Sequence, residues 1–423
     1  MSPSQIPNCN RDLSGQAIIV GAGCAGIETG LALRSNGWVG PITIFDDENT
    51  WPYHRPPLSK ALLKGSIPEG EYRNRTAEVI ARAGIDLHVG KKVEAINRIT
   101  KTIHLTGKNS EYEYSSLILA TGGRARALEG FPQLVDCRNV YTLRTLADAE
   151  RIRFALPSCN RLVIVGGGFI GLEIAASAKA MGVDVQILEA GSRVLERALP
   201  NILSDFFHSL HREAGVEINT GVAIEGFRID SATKSVSAVY LDHNCIACDM
   251  LVVAVGLEPN TGLAKDAGLH VSNGIIVNEF LQTDDSAIFA IGDCARFDSE
   301  RYGNAIRLES VPNAIAHARR VSAVLCGTRI PSEEIPWFWT DQFDVSLKIA
   351  GLPQEADQII IRGDINNREF SVIFHTNGRV NCVYSINRPS EFVAGKRLIE
   401  KGLQHDVAQL SDVNTPLISI TSR

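Results

Sequence analysis

Two glycine triplets of identical spacing, each able to hold a phosphate group, occur in the first half of this chain. They are Gly21, Gly23 and Gly26 in "GAGCAG" and Gly166, Gly168 and Gly171 in "GGGFIG". In such a triplet the first glycine permits a tight turn, the second lets the backbone approach a pyrophosphate, and the third lets a helix pack closely on a strand. Each triplet follows an apolar run and opens a helical pattern. The sequence therefore predicts two dinucleotide sites, each on a helix N-terminus.

An acidic residue follows each triplet at the distance expected of a ribose ligand. Asp47 ends the run "ITIFDD" and Glu189 ends "VDVQILE", each about 20 residues beyond the last glycine of its triplet. At that distance a carboxylate reaches the ribose hydroxyls of a bound dinucleotide. Asp46 stands beside Asp47, so either residue could be the ligand at the first site.

Later apolar runs indicate that the second dinucleotide unit is inserted in the first. "SSLILATGGRAR" (115–126) and "DMLVVAVGLEPN" (249–260) bracket the second triplet, and "TDDSAIFAIGDCAR" (283–296) follows them. From about Pro331 the sequence alternates in the manner of antiparallel strands. We predict an α/β fold with two Rossmann-like dinucleotide-binding domains, one inserted in the other, and a C-terminal α+β domain. The predicted boundaries are 1–121 with 257–331 for the first domain, 122–256 for the inserted domain and 332–423 for the C-terminal domain.

Composition and charge exclude several classes of protein. The chain has 423 residues, 44% of them hydrophobic and 21% charged, with a net charge of −6. Binders of nucleic acid are usually basic, and no apolar run approaches the roughly 18 residues that a membrane span needs. The N-terminal segment "MSPSQIPNCNRDLSG" lacks the features of a signal peptide and is interpreted as a polar tail. We expect a cytoplasmic protein without a nucleic-acid or membrane partner.

Nine cysteines are scattered along the chain, which suits free thiols in a reducing compartment. Cys245 and Cys248 in "CIAC" could form a redox dithiol or half of a metal site, but no second pair completes such a site and strand packing is the preferred interpretation. Cys24 is expected to have a packing role. His317 in "AIAHARR" is expected on a helix surface or at the rim of a flavin rather than as a catalyst. No metal site is predicted.

Several motifs resemble those of the glutathione-reductase-like flavoproteins, which have paired Rossmann domains. "PYHRPPLSK", "ATGG", "GGGFIGLE", "AIGDCA", "ESVPNA" and "PWFWTDQ" are most similar to the NADH-dependent ferredoxin reductases of bacterial oxygenase systems. The resemblance covers nearly the whole chain. It implies FAD on the first triplet, NADH on the second and a [2Fe–2S] ferredoxin that the C-terminal domain helps to receive. The implied reaction passes a hydride from NADH to FAD and then single electrons to the ferredoxin, which serves a cytochrome P450 or a ring-hydroxylating dioxygenase.

The resemblance also implies a set of FAD contacts at matching positions of this chain. They are Gly21, Gly23, Ala25, Gly26, Asp47, Arg55, Lys60, Val93, Ala120, Thr121, Gly122, Arg144, Gly292, Asp293, Val311 and Trp339. Ala25 and Asp47 would meet the ADP part of FAD. Asp293 would bind the ribityl chain, and the backbone N–H of Val311 would donate to the pyrimidine edge of the flavin. Trp339 would lie near the exposed flavin edge.

Lys60, at the end of "RPPLSK", would lie beside the flavin ring. Two prolines stiffen the loop that carries it, which suits a side chain that must be held in place. Its expected partner is Glu173, because a buried Lys–Glu pair avoids an unpaired buried charge. These two residues are predicted to support catalysis as a flavin-adjacent pair.

The implied contacts of NADH surround the second triplet. They are Gly166, Gly168, Phe169, Ile170, Gly171, Glu173, Glu189, Val255 and Gly256. Glu189 predicts a preference for NADH, because a carboxylate there accepts from the ribose 2′-OH and repels a 2′-phosphate. Arg193 is a countervailing feature, since an arginine nearby can accommodate that phosphate.

Ferredoxins are generally acidic, so basic residues near the flavin edge are expected to guide docking. The candidates are Arg319 and Lys348, with Trp339 packing at the contact, and Arg320, Arg388, Lys396 and Arg397 are further possibilities. A monomer or weak homodimer is expected.

Two alternative functions stay open on the sequence. One is an NADH flavoprotein reductase for rubredoxin or another small acceptor. The other is a redox-sensing interaction flavoprotein like apoptosis-inducing factor. The short chain and the absence of a long C-terminal insertion count against the second alternative.

Overall fold

The computed structural model describes residues 13–68, 70–107, 110–242 and 244–421. Residues 1–12 of the predicted polar tail lie outside the described residues. The chain folds into two compact units. Unit 1 is built from the described residues of Met1–His54, Arg73–Arg124 and Glu258–Phe338, and unit 2 from those of Arg55–Tyr72, Ala125–Leu257 and Trp339–Arg423.

Strands alternate with helices around the two glycine triplets and follow one another in runs elsewhere in the described chain. The strands, β1 to β26 in chain order, are Ala17–Val20, Ile42–Phe45, Ile85–His88, Val93–Asn97, Thr102–Leu105, Glu111–Glu113, Ser116–Leu119, Gly123–Ala125, Val140–Tyr141, Arg161–Val165, Asp184–Glu189, Glu217–Thr220, Ile224–Asp230, Ser235–Leu241, Asn244–Ala247, Met250–Val253, Leu257–Pro259, Ile275–Val277, Ile288–Ala290, Ala295–Ser299, Asn304–Ile306, Trp337–Gln342, Val345–Gly351, Gln358–Asp364, Glu369–Thr376 and Arg379–Ile386. The helices, α1 to α10, are Cys24–Ser35, Ala77–Arg82, Leu146–Ala155, Phe169–Ala180, Asn201–Glu213, Gly262–Asp266, Val311–Cys326, Pro389–Lys401, Val407–Ser411 and Leu417–Ile420.

Unit 1 is centred on a parallel sheet in the order β19-β7-β1-β2-β3. The sequences of β1, β2 and β7 are AIIV, ITIF and SLIL, and every residue in them is buried. Such unbroken apolar runs are typical of parallel strands that are covered on both faces. Helix α1 packs against α7, where the Asn36 amide donates to the Ser322 hydroxyl at 2.8 Å.

Unit 2 contains a second parallel sheet, in the order β12-β11-β10-β16-β9. Its C-terminal part is a separate sheet in the order β22-β23-β26-β25-β24, in which β23 to β26 are antiparallel and α8 packs on β26 and β23. The predicted fold class, two Rossmann-like sheets with a C-terminal α+β part, is thereby confirmed. The boundaries of the three domains stay a prediction.

A buried guanidinium group fixes the end of the chain to the C-terminal sheet. Arg362 on β24 donates to the Glu391 carboxylate at 2.7 Å. It also donates to the backbone carbonyls of Leu410, Asp412 and Thr415. Only 1% of its side chain is exposed, so its N–H groups are satisfied by these internal acceptors rather than by water.

We expect Arg362→Met to lower the free energy of unfolding by about 3–5 kcal/mol, because it removes one partner of a buried ion pair and a hydrogen-bond donor to three backbone carbonyls. Arg368→Met is the matched control. Arg368 is about one-third exposed and pairs with Asp344 and Glu213 at the surface, so its loss should cost under about 1 kcal/mol. Urea titration of both variants measures the difference, and equal costs would contradict the role of Arg362.

Candidate functional site

Both triplets begin with a glycine that no other residue could replace without strain. Gly21 has φ +109° and Gly166 has φ +108°, a backbone conformation that L side chains rarely adopt. A methyl group on Gly21 would overlap the carbonyl of Ala120, and one on Gly166 would overlap the carbonyl of Ala254. The neighbouring strands therefore approach these turns as closely as backbone atoms permit.

The second glycine of each triplet borders open space at the start of a long helix. A methyl group on Gly23 or Gly168 would meet nothing within 4 Å, and these glycines are the N-caps of α1 and α4. No side chain of the described residues caps either helix, whereas Ser310 caps α7 by accepting from the Asn313 N–H. The first-turn N–H groups of α1 and α4 are thus available to an anion. Both cradles fit the pyrophosphate of a dinucleotide.

Carboxylates lie behind both glycine turns at equivalent positions. Glu189 accepts from the backbone N–H groups of Gly167 at 2.6 Å and Gly191 at 2.7 Å. Asp46 accepts in the same way from Ala22 and Glu48. The sheet registers agree, since Asp46 and Glu189 each follow a residue paired with the last residue of the triplet's strand.

Asp46, and not Asp47, is therefore the positional equivalent of Glu189. The sequence could not separate the two because they are adjacent, and strand register decides which one points at the turn. Asp47 is exposed to solvent. Burial raises the pKa of Asp46 to about 6, against the opposing effect of its two backbone hydrogen bonds. The assignment of the ribose ligand to Asp47 stays a prediction.

His317 lies in the interior, so the expectation of a helix-surface residue is wrong, and the alternative place at the rim of a flavin stays a prediction. It is 4% exposed, its Nδ1 accepts from the Gly292 N–H at 3.1 Å, and its ring packs edge-on against Phe297. Arg307 donates to the carbonyl of Asp293 at 3.0 Å. His317 and Arg307 therefore both contact the backbone of the Gly292–Asp293 turn. The sequence did not single out Arg307, and it did not predict the contact of His317 with Gly292, because both contacts depend on the fold.

The remaining predicted FAD contacts of unit 1 lie at the ends of elements. Val93 is buried at the start of β4, and Val311 is the first residue of α7. Ala120, Thr121 and Gly122 follow β7 directly. The Thr121 hydroxyl donates to the carbonyl of Asn260 at 2.7 Å, which holds this segment in place.

Unit 2 brings together the predicted pair of Lys60 and Glu173. The Lys60 ammonium lies 2.7 Å from Glu173 Oε1, and the glutamate is buried. Two donors that the sequence reasoning missed complete its surroundings: the Ser59 hydroxyl donates to Oε2, and the Thr340 hydroxyl donates to Oε1 at 2.6 Å. Ser177 on α4 donates to the backbone carbonyl of Ser59 at 2.7 Å. The place of this pair beside a flavin stays a prediction.

Other predicted contacts of unit 2 have defined positions. Arg55 donates to the carbonyl of Arg144 at 2.5 Å. Trp339 lies on β22. Phe169 and Ile170 form the first turn of α4, and Val255 and Gly256 follow β16 beside the second glycine turn.

The candidate docking residues differ in their engagement. Arg319 is 61% exposed and pairs with Glu334 at 3.3 Å. Lys348 lies over the ring of Phe392, 5.7 Å from its centroid. Arg320 donates to the backbone carbonyls of Glu279 and Pro331, and Arg388 pairs with Glu391 at 2.9 Å, so both have structural partners. Lys396 and Arg397 lie on α8. Docking by Arg319 and Lys348 stays a prediction.

The cysteines among the described residues have no arrangement that suggests redox chemistry. Burial raises the pKa of Cys24 and of Cys248 to about 12, so both thiols stay protonated at neutral pH. Cys245 is exposed on β15. Within the described ranges, no three or more His, Cys, Asp or Glu side chains are grouped as a metal would require. None of the helices seen there is both long and apolar enough to span a bilayer.

Comparison with known proteins adds independent information. Residues 15–318 match the family model of pyridine nucleotide-disulphide oxidoreductases, and residues 337–421 match that of the reductase C-terminal domain. The chain is 43% identical to putidaredoxin reductase CamA of Pseudomonas putida over 95% of this chain and 96% of that protein. It is 38% identical to the probable ferredoxin reductase CtmF of Castellaniella defragrans, covering 96% and 98% respectively. The crystal structure of a covalent putidaredoxin reductase–putidaredoxin complex matches with a TM-score of 0.93 at 42% identity, covering 98% of this chain and 99% of that one.

We predict that kcat/KM for NADH exceeds that for NADPH by roughly a hundredfold, because the fixed Glu189 carboxylate repels a 2′-phosphate. Arg193 does not offset this, since its guanidinium donates to the carbonyls of Leu199 and Glu196 at 2.7 and 3.0 Å. Glu189→Gln should lower the ratio of kcat/KM for NADH to kcat/KM for NADPH severalfold. Glu217→Gln, at the exposed start of the neighbouring strand β12, is the control and should leave the ratio of the two kcat/KM values unchanged. Equal values for the two nucleotides in the native protein would refute the assignment.

The buried His317 predicts a loss of stability in acid. Burial, reinforced by Arg320, lowers its pKa to about 3, so the folded protein keeps the ring neutral while the unfolded chain takes up a proton near pH 6.5. Its contribution is complete above that pH and falls by up to about 3 kcal/mol as pH drops from about 6.5 to about 4.5. His317→Asn keeps an acceptor for Gly292 and should flatten this fall.

Urea unfolding at several pH values measures the effect. The exposed His270, changed to Asn, is the control, and its variant should follow the native pH profile. A His317→Asn variant with the native dependence would show that another group causes the acid sensitivity.

Proposed function

Since the chain belongs to the pyridine nucleotide-disulphide oxidoreductase family, we propose that it is a ferredoxin–NAD reductase of an oxygenase system. It is an oxidoreductase that uses FAD and NAD(H). In the proposed reaction NADH is the hydride donor and a [2Fe–2S] ferredoxin is the acceptor of single electrons. The ferredoxin in turn serves a cytochrome P450 or a ring-hydroxylating dioxygenase.

The observation that carries this proposal is the pair of uncapped glycine cradles, one in each unit. Gly23 opens α1 in unit 1, and Gly168 opens α4 in unit 2. An enzyme that binds one dinucleotide substrate needs a single such cradle. Two cradles support one dinucleotide held as a resident cofactor and a second that exchanges as substrate.

The chain's own residues bind and orient rather than perform acid–base chemistry. We assign FAD to the unit 1 cradle, with Asp293 as ligand of its ribityl chain, and NADH to the unit 2 cradle. When bound, FAD supplies the coupling between a two-electron donor and one-electron acceptors. The Lys60–Glu173 pair is assigned to the flavin edge. There the partly exposed Lys60, paired with the buried Glu173, presents a fixed ammonium group without adding net charge to the site.

The sequence after β2 argues against reduction of a disulfide substrate. Disulfide reductases that resemble this chain carry a redox pair of cysteines in that segment. Here it reads "DDENTWPYHRPPLSK", without a cysteine. A one-electron acceptor does not require such a pair.

The cellular setting is part of the proposal. We infer a cytoplasmic protein that acts as a monomer or weak homodimer. Free cysteines support a reducing compartment, since those described include buried thiols and none is in a disulfide.

Anaerobic stopped-flow mixing tests the function. The protein reduced with NADH is mixed with a [2Fe–2S] ferredoxin, a rubredoxin or ferricyanide. Fast transfer to the ferredoxin supports the proposal, and fast transfer to rubredoxin alone would replace it with the first alternative. Slow oxidation by every protein acceptor, with a long-lived charge-transfer band, would favour the redox-sensing alternative.

The same assay tests docking. Arg319→Glu and Lys348→Glu should each slow electron transfer to the ferredoxin about tenfold at low salt, and less at high salt, because both remove attraction to an acidic partner. Reduction of ferricyanide should be unchanged. If both activities fall together, these residues support the fold or the cofactor rather than the partner.

A further inference from the structure

Glu173 is the first member of a row of buried polar side chains in unit 2 that are linked by hydrogen bonds. The row continues through Thr340 and Gln342 to His211. Gln342 donates through Nε2 to the Thr340 hydroxyl at 3.1 Å, and its Oε1 lies 2.8 Å from His211 Nε2. All three side chains are buried. Thr340 and Gln342 stand two positions apart on β22 and so share one face of the strand. His211 is in the last turn of α5.

All the hydrogen bonds of this row are donated in the same direction, from His211 towards Glu173. An amide oxygen only accepts, so His211 Nε2 must carry the proton that Gln342 receives. The NH₂ group of Gln342 then donates to the Thr340 oxygen, and the Thr340 hydroxyl donates its own hydrogen to Glu173. Burial lowers the pKa of His211 to about 4, which keeps the ring neutral and this pattern intact at neutral pH.

The row ends at Glu173 Oε1, the oxygen that also contacts the Lys60 ammonium group. Thr340 and Lys60 both contact Glu173 Oε1, at 2.6 and 2.7 Å. A buried carboxylate is stable as an ion only when its oxygens receive hydrogen bonds. Without Thr340 the carboxylate would lose one of its few donors and the orientation that aims Oε1 at the ammonium group.

We propose that Thr340, Gln342 and His211 are positioning residues that hold Glu173, and through it Lys60, in the geometry used for flavin reduction by NADH. The inference rests on the proposed function, in which Lys60 lies at the flavin edge. It deepens that function by making β22 of the C-terminal sheet part of the hydride-transfer site.

A double-mutant cycle tests this inference. Thr340→Val keeps the shape of the side chain and removes the donor, and it should slow flavin reduction by NADH roughly tenfold in the holoenzyme. Thr340→Ser restores the hydroxyl and should react within about twofold of the native rate. In a Lys60→Met background, Thr340→Val should cause no further slowing, because the group through which it acts is already gone.

Variants of His211, at the other end of the row, give a second test. His211→Phe keeps the ring without the N–H and should slow flavin reduction by roughly threefold, whereas His211→Gln keeps a donor and should react faster than the Phe variant. Asp341→Ala, at the exposed position between Thr340 and Gln342, is the surface control and should leave the rate unchanged. If Thr340→Val fails to retain flavin, Gln342→Met replaces it in the cycle.

The outcomes separate the inference from the proposed function. A native rate for Thr340→Val, or equal slowing in both backgrounds, would overturn the inference. A native rate for Lys60→Met would overturn the role of Lys60 and the inference together. Since the assay contains only NADH and the holoenzyme, a failure to reduce ferredoxin would count against the proposed function and leave this result standing.

Discussion

A carboxylate that is kept from water must receive its hydrogen bonds from the protein, and Glu173 imposes this requirement on unit 2. Its oxygens accept from Ser59, Lys60 and Thr340, which come from the loop before it and from the C-terminal sheet after it. Moving any one of these segments would take a donor away from the buried charge of Glu173 and would cost several kcal/mol of folding free energy. The nucleotide helix α4, the proline loop and β22 are therefore coupled through a single side chain.

The cradles could be predicted from sequence because their constraints are local. Positive φ at Gly21 and Gly166, and the open space beside Gly23 and Gly168, follow from a few residues of chain around each turn. The buried parallel strands around the triplets could also be predicted, since unbroken apolar runs such as AIIV and SLIL are stable only where both faces of the strand are covered. The assignment of the fold class depended on these signals.

What could not be predicted depends on register or on contacts between distant segments. The choice between Asp46 and Asp47 follows from the pairing of β1 with β2, which a shift of one residue would reverse. His317 was expected on a helix surface or at the rim of a flavin, yet it is buried in unit 1 and accepts a hydrogen bond from the Gly292 N–H. Thr340 lay inside a recognised motif, but only the folded chain shows that its hydroxyl faces Glu173.

The position of Thr340 and Gln342 limits how such a reductase can be recombined. The model of the reductase C-terminal family matches residues 337–421, so this segment is the unit that a chimera between relatives would exchange. The cut at its start, however, falls within three residues of a side chain that serves the nucleotide helix. A chimera would keep the hydrogen bond to Glu173 only if the incoming domain supplied a hydroxyl at position 340, and would keep the support of that hydroxyl only with an amide at position 342. Two buried positions of β22 therefore have to be matched when this segment is exchanged, in addition to any surface residues that contact a partner.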